Sequence, residues 1–129
     1  MLFRSERPQA VLLLRGSQEE VSMLQEVKMA TNLTSVATVG TTLRQLYALC
    51  EAASSMVSVD SGPAHAAAAL SVPLVVLYGA ESPLYWLPRG PSGSPVVGVG
   101  GPPASRRADQ MSADAVFNAW RSIAGQRRA

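Results

Sequence analysis

Short apolar runs alternate along the chain with stretches of helical periodicity. Continuous runs stand at Ala10-Val11-Leu12-Leu13-Leu14, Met56-Val57-Ser58-Val59 and Pro73-Leu74-Val75-Val76-Leu77-Tyr78. Runs of that length without a polar face suit strands buried on both sides of a parallel sheet. Ser35-Val36-Ala37-Thr38-Val39 is a weaker run and predicts a further strand. A first helix is predicted from Ser17, with Glu20 three residues on in the form of a capping box. A second is predicted from Thr42, paired in the same way with Gln45. Its positions Leu43, Leu46, Tyr47, Cys50 and Ala53 follow helical spacing and are expected to face the sheet. A third begins near Pro63, a residue suited to a helix's first turn, and runs through Ala66-Ala67-Ala68-Ala69-Leu70. Alternating strand and helix implies right-handed crossovers and a doubly wound α/β fold, with a parallel sheet between helices.

After Gly79 the rhythm breaks. Residues 80–105 hold most of the prolines and many glycines, with one short apolar stretch at Pro95-Val96-Val97-Gly98-Val99. This segment reads as one long loop within a single domain spanning 1–129, and residues 1–8 read as an N-terminal tail. A last helix is expected from Ser112, with Val116, Trp120 and Ile123 on one face.

The bulk properties narrow the class. A chain of 129 residues, 47% hydrophobic and 16% charged, is large and apolar enough for one core and too apolar for disorder. The net charge is only +2, and arginines gather near the ends at Arg4, Arg7, Arg106, Arg107, Arg127 and Arg128. Without a recognised motif these read as solvated tails, not as a nucleic-acid grip. One cysteine, Cys50, excludes an internal disulfide and suits a small apolar filler on a buried helix face. No apolar run approaches the roughly 20 residues that span a bilayer, and the N-terminus lacks a signal-peptide core. The expected setting is soluble and cytoplasmic.

The chemistry concentrates where the strand Met56–Val59 ends in Asp60 and Ser61-Gly62-Pro63 turns into a helix. Ligands of open parallel sheets sit beyond the carboxyl ends of strands, where helix N-termini offer free N–H groups and a positive dipole end. Gly62 lets a diphosphate approach the backbone, Ser61 adds a hydroxyl, and His65 can donate to the same anion. The plain alternative is structural: Asp60 or Ser61 caps the helix, Gly62 serves the turn and His65 is a satisfied side chain. Tyr78 and Trp86 suit either stacking on a base or sugar or, more commonly, a place in the core. One histidine without an adjacent acidic pair gives no metal-ligand spacing.

The wider run from Met56 through Leu70, followed by Val72-Pro73-Leu74-Val75-Val76-Leu77-Tyr78-Gly79, resembles the signature of the heptosyltransferases, glycosyltransferase family 9. That signature is a strand, an Asp-Ser/Thr-Gly-Pro-x-His turn, an alanine-rich helix and a Pro-led strand ending in Tyr/Phe-Gly. Glu81-Ser82-Pro83, Trp86 and Pro88 resemble the family's following loop. The resemblance implies the second, donor-binding half of a GT-B-type enzyme built from two Rossmann-like halves, acting in lipopolysaccharide assembly on a nucleotide sugar, commonly ADP-heptose. It implies that Asp60, Ser61, Gly62 and His65 contact the donor's diphosphate and sugar, with Asp60 on sugar hydroxyls because two anions repel. Four positions beyond Gly16, Glu20 matches the acidic residue that holds the nucleotide ribose, in competition with its capping role. Thr41 matches the position bordering the base, where a plain turn residue is the alternative. The family works without a bound metal or other cofactor.

Two parts of the family pattern are not matched. One is the half that holds the acceptor and the catalytic base, so no catalytic residue is assigned here. The other is the opening strand and helix of the donor half, with a basic residue facing the phosphates. Without that strand its neighbours are expected to present unpaired edges, which invite a partner chain or a homo-oligomer. The alternatives to a donor-binding transferase part are therefore a non-catalytic remnant of the same ancestry and an α/β interaction module.

Overall fold

The computed structural model describes residues 10–32, 36–91, 93–103 and 105–126; the expected tail 1–8, Ser35, Arg127 and Arg128 lie outside these. By their contacts the residues divide into two compact units, Met1–Leu46 and Tyr47–Ala129. Both are α/β with parallel strands flanked by helices.

In the first unit, β1 (Leu12–Gly16) and β2 (Val36–Gly40) pair in parallel, with Leu12 opposite Val36 and Gly16 opposite Gly40. A 3-10 turn (Gln18–Glu20) and α1 (Val21–Thr31) connect them. Asn32, in the left-handed conformation, ends α1 by turning its N–H back to the Met29 carbonyl at 3.2 Å. Gln25 on α1 reaches Thr38 on β2 at 2.7 Å. Leu24 and Val36 are buried, whereas Val11, Met23, Val27 and Met29 are exposed, so the unit buries little apolar surface.

The boundary between the units falls inside α2 (Leu43–Ala52). Thr42 and Gln45 form the expected reciprocal cap: the Thr42 N–H donates to Gln45 Oε1 at 3.0 Å, and the Gln45 N–H to Thr42 Oγ1 at 3.2 Å. The expected buried face is narrower than its spacing suggested. Leu46 and Cys50 are buried, but Leu43 and Tyr47, on one flank of the stripe, are exposed.

The second unit holds β3 (Met56–Val59), α3 (Gly62–Ala69), β4 (Leu74–Tyr78), α4 (Pro83–Trp86), β5 (Val96–Gly100) and α5 (Ala113–Ile123). Its sheet order is β3-β4-β5, all parallel. β4 is the central strand, and Leu74, Val75, Val76 and Tyr78 are fully buried, which is why its sequence shows no polar alternation. Each such side chain contributes on the order of 1.5–3 kcal/mol by leaving water. α5 packs on β4 and β5, while α3 packs on β3 and β4. Ser112 caps α5 by accepting from the Ala115 N–H at 3.1 Å. Trp120 and Ile123 are buried as expected, joined by Phe117, whose ring stacks on Trp120 at 5.8 Å. The indole of Trp120 donates to Ser55 Oγ at 2.9 Å.

One expectation is corrected here. The segment 80–105 is not one loop, because α4 and β5 interrupt it. Pro95–Val99 becomes a strand because its backbone pairs with β4 from Leu74↔Val96 to Tyr78↔Gly100. The parallel strands form a two-stranded sheet in the first unit and a three-stranded sheet in the second. Among the described residues β1 pairs only with β2 and β3 only with β4, so each leaves one edge without a partner strand.

Gly98 is required by close packing. A Cβ there would lie 2.8 Å from Pro83 Cβ, 3.1 Å from Tyr78 Cε2 and 3.3 Å from Leu87 Cδ1. Gly98→Ala is expected to lower the stability of this unit by about 1–3 kcal/mol through overpacking, read from the urea midpoint. An unchanged midpoint would mean that α4 is not clamped against β5.

Candidate functional site

The junction between β3 and α3 is set by the sheet. The Asp60 N–H donates to the Leu77 carbonyl at 3.2 Å, extending the β3–β4 ladder one residue past β3. Asp60 thus lies beside the carboxyl end of β4. Ser61, extended at φ −161°, opens α3, with Pro63 in its first turn. The first-turn N–H of Ala64 is taken by the Ser61 carbonyl at 3.1 Å.

The structural alternative for these residues does not hold in its simple form. Ser61 makes no side-chain cap; its hydroxyl turns back to the Val59 carbonyl at 3.1 Å, which also accepts from Ser58 Oγ at 2.9 Å. Neither Asp60 nor His65 has a side-chain hydrogen bond or ion pair among the described residues. His65 is exposed and Asp60 half-buried. A Cβ built on Gly62 meets no described atom within 4 Å, so packing does not demand glycine there. The helix therefore starts with an uncapped end, open space over its first residue, and a carboxylate and an imidazole on either side. Asp60, Ser61, Gly62 and His65 are brought together by chain continuity at the place where a parallel sheet positions ligands.

Tyr78, at the end of β4, belongs to the same neighbourhood. It is fully buried and its hydroxyl has no hydrogen-bond partner among the described residues. Burial, reinforced by the negative charge of Asp60, pushes its phenol up to about 12. Its core placement agrees with the sequence reading. Trp86 does not, being 53% exposed.

The other two candidates lie in the first unit, at the carboxyl end of its own sheet. The Ser17 N–H donates to Glu20 Oε1 at 2.8 Å, and the Glu20 N–H returns to the Ser17 carbonyl at 3.1 Å. The hydrogen bonds from Ser17, backbone first, and then the Arg15 charge hold the Glu20 carboxyl below its ordinary value. Thr41 is buried; its N–H donates to the Gly16 carbonyl at 3.0 Å and its hydroxyl accepts from Arg15 Nε at 2.6 Å. Arg15 was missed in the sequence. The signal available was a cation interrupting an apolar run directly before Gly16. Among the described residues no group of three or more His, Cys, Asp or Glu is placed to hold a metal.

This geometry can be set against known proteins. The family model described as glycosyltransferase family 9 (heptosyltransferase) matches residues 3–113. The chain belongs to this family. Lipopolysaccharide heptosyltransferase 3 of Escherichia coli is 45% identical over 47 residues, covering 36% of this chain and 14% of that protein. The crystal structure of the glycosyl transferase family 9 protein from Veillonella parvula DSM 2008 is similar with a TM-score of 0.70 at 21% identity. That likeness covers 91% of this chain and 37% of the other, and supports the α/β fold. The chain thus spans well under half the length of either relative. No helix among the described residues is long and apolar enough to cross a membrane.

Tyr78 gives a test independent of any ligand. Its folded value lies above the ordinary 10.0, so its stabilisation is complete below pH 10 and is lost as pH rises through about 12. The difference in tyrosinate absorbance between wild type and Tyr78→Phe is expected to appear only near pH 12. A difference developing near pH 10 would show an accessible phenol. Because the hydroxyl is unpartnered, Tyr78→Phe is expected to hold or raise stability at neutral pH, by up to about 1 kcal/mol.

Proposed function

We propose that the β3–α3 junction binds the diphosphate and sugar of a nucleotide-sugar donor, an ADP-heptose-like compound, for glycosyl transfer in lipopolysaccharide or a related glycan. The observation that carries this is the uncapped start of α3, with open space at Gly62 and two polar side chains, Asp60 and His65, that have no partner among the described residues. The helix dipole and the N–H of Gly62 suit the diphosphate, Pro63 having no N–H and that of Ala64 being taken by the Ser61 carbonyl, with the Ser61 hydroxyl beside it and His65 able to add a donor hydrogen bond. Asp60 suits sugar hydroxyls, which donate to it, and not phosphate oxygens, which repel it. In the transfer, an acceptor hydroxyl attacks the anomeric carbon as the bond to the diphosphate breaks. The charge gathering on the departing diphosphate is met by groups already oriented, which need no reorganisation at that moment. The proton from the acceptor passes to a base that the family resemblance assigns to the acceptor-binding half.

Glu20 and Thr41 keep their proposed roles, at the ribose and at the border of the base, from that resemblance. Glu20 Oε1 is engaged by Ser17, and Thr41 Oγ1 by Arg15, so each would serve as an already oriented group. The glycan acceptor is proposed from the relative's name, lipopolysaccharide heptosyltransferase. A soluble donor and a lipid-linked acceptor together suit a cytoplasmic protein working peripherally at the inner membrane. The unpaired edge of β3 supports the second reading, an interaction module or remnant that needs a partner chain.

Calorimetric titration with ADP, ADP-heptose and UDP-sugars separates these readings. Preference for ADP-heptose is expected, weakened at least about tenfold in Asp60→Ala/His65→Ala. Gly62→Ala is the sharper variant. It should leave the thermal midpoint unchanged, because the added methyl meets nothing, while obstructing a ligand that lies against the backbone. A folded wild-type chain without a response to any nucleotide sugar would favour the interaction module.

A further inference from the structure

The carboxyl end of β1 holds opposite charges on its two faces. Arg15 stands opposite Val39 in the register, and its side chain crosses the sheet to Thr41, two residues past Val39 and just beyond β2. Glu20 lies on the other face: its Oε1 sits 3.3 Å from the point that a Cβ on Gly16 would occupy. Successive strand residues point to opposite sides, so Arg15 and Gly16 divide the two charged groups between the faces. Each is pinned by its own hydrogen bond, Arg15 Nε donating to Thr41 Oγ1 at 2.6 Å and Glu20 Oε1 accepting from the Ser17 N–H at 2.8 Å. They form no ion pair with each other, and the terminal N–H groups of Arg15 have no partner among the described residues. Arg15 is half-buried. One bond to a neutral hydroxyl does not restore the hydration that such a guanidinium gives up, so the fold alone gives no reason for its free donors.

Resting on the donor reading above, which sets Glu20 at the ribose and Thr41 at the border of the base, we infer that Arg15 is a further donor-binding residue. Its terminal N–H groups donate to acceptor atoms of the nucleobase. Two features select a nucleoside over a second phosphate. A phosphate at this strand end would meet the Glu20 carboxylate, whose charge opposes it. A nucleoside is neutral and carries both kinds of group: ribose hydroxyls donate to a carboxylate, and ring nitrogens or carbonyls of the base accept from a guanidinium. Laid across the tip of β1, it offers each group to the face where its complement is held. The anchor on buried Thr41 fixes the guanidinium before any ligand arrives, so little side-chain freedom remains to be lost on binding.

Titration of the full chain with adenosine, ADP and inorganic pyrophosphate, read by NMR or calorimetry, separates nucleoside, nucleotide and phosphates. Arg15→Met keeps the apolar stem and removes the charge and the donors. It is expected to weaken adenosine and ADP alike, about tenfold, and to leave pyrophosphate unchanged. Arg15→Lys is expected not to restore adenosine binding, because an ammonium on a flexible stem lacks the planar fork that bonds Thr41 and the base together. Thermal midpoints close to that of the wild type establish that both variants are folded. Pyrophosphate binding lost with adenosine unchanged would make Arg15 a phosphate cation and overturn the assignment. Adenosine affinity unmoved in Arg15→Met, or recovered in Arg15→Lys, would overturn it too. Asp60→Ala/His65→Ala titrated with the same ligands keeps the two ideas apart. Adenosine binding that needs Arg15, with pyrophosphate indifferent to the double variant, refutes only the diphosphate site at the β3–α3 junction. Pyrophosphate binding that needs the junction, with no adenosine binding by the wild type, refutes only the role of Arg15.

Discussion

The hydrogen bond from the Asp60 N–H to the Leu77 carbonyl is the bond on which the geometry of the β3–α3 junction depends. It is the last rung of a ladder that begins with Met56 opposite Leu74, and it fixes where β3 stops and α3 starts. A one-residue slip would turn every β3 side chain to the other face and carry Asp60 away from the end of β4. The register is secured by β4, buried on both sides, so burial in the centre of the sheet holds a polar junction at its rim. Core and site are one mechanical object here.

Burial explains the uneven character of the two units. In the second, β4 is enclosed by strands on each side and by α3 and α5, and nearly all its side chains leave water. In the first, two strands and one connecting helix leave Met23, Val27 and Met29 in solvent. Its polar contacts are correspondingly prominent: Arg15 to Thr41, Gln25 to Thr38, and the Ser17–Glu20 cap. Individually, bonds of this kind contribute less than a packed strand does. The acidic partner in the cap keeps its role above the usual carboxylate range and loses it as pH falls through its lowered value.

How much of this the sequence made legible follows from the range of the forces involved. The β3–α3–β4 segment was readable because each signal is local: an apolar run, a turn with glycine and proline, an alanine-rich helix, a second run. The capping pair Thr42 and Gln45 was readable for the same reason. β5 was not, because Pro95–Val99 contains a glycine and sits among prolines, and only pairing with β4 makes it a strand. Leu43 and Tyr47 show the same limit from the other side: helical spacing identifies a stripe, while the partner surface decides how wide a stripe is covered. Trp86 is the clearest case. Its residue type argued for the core, yet the one-turn helix that carries it spends Pro83 and Leu87 on packing and leaves the indole half in water.

For the candidate site, sequence names residues and leaves their state open. Sequence could name Asp60, Ser61, Gly62 and His65, but not whether their polar atoms were already spoken for. The structure makes that distinction for each. Ser61 spends its hydroxyl on the Val59 carbonyl, while Asp60 and His65 have no partner among the described residues. A half-buried carboxylate without a partner has lost part of its hydration and gained nothing in exchange. Residues serving the fold alone would be expected to cap α3 or form an ion pair, since either would recover that cost. That Asp60 does neither among the described residues, at the end of a parallel sheet and beside a glycine that packing does not require, supports the proposal of a ligand at this junction.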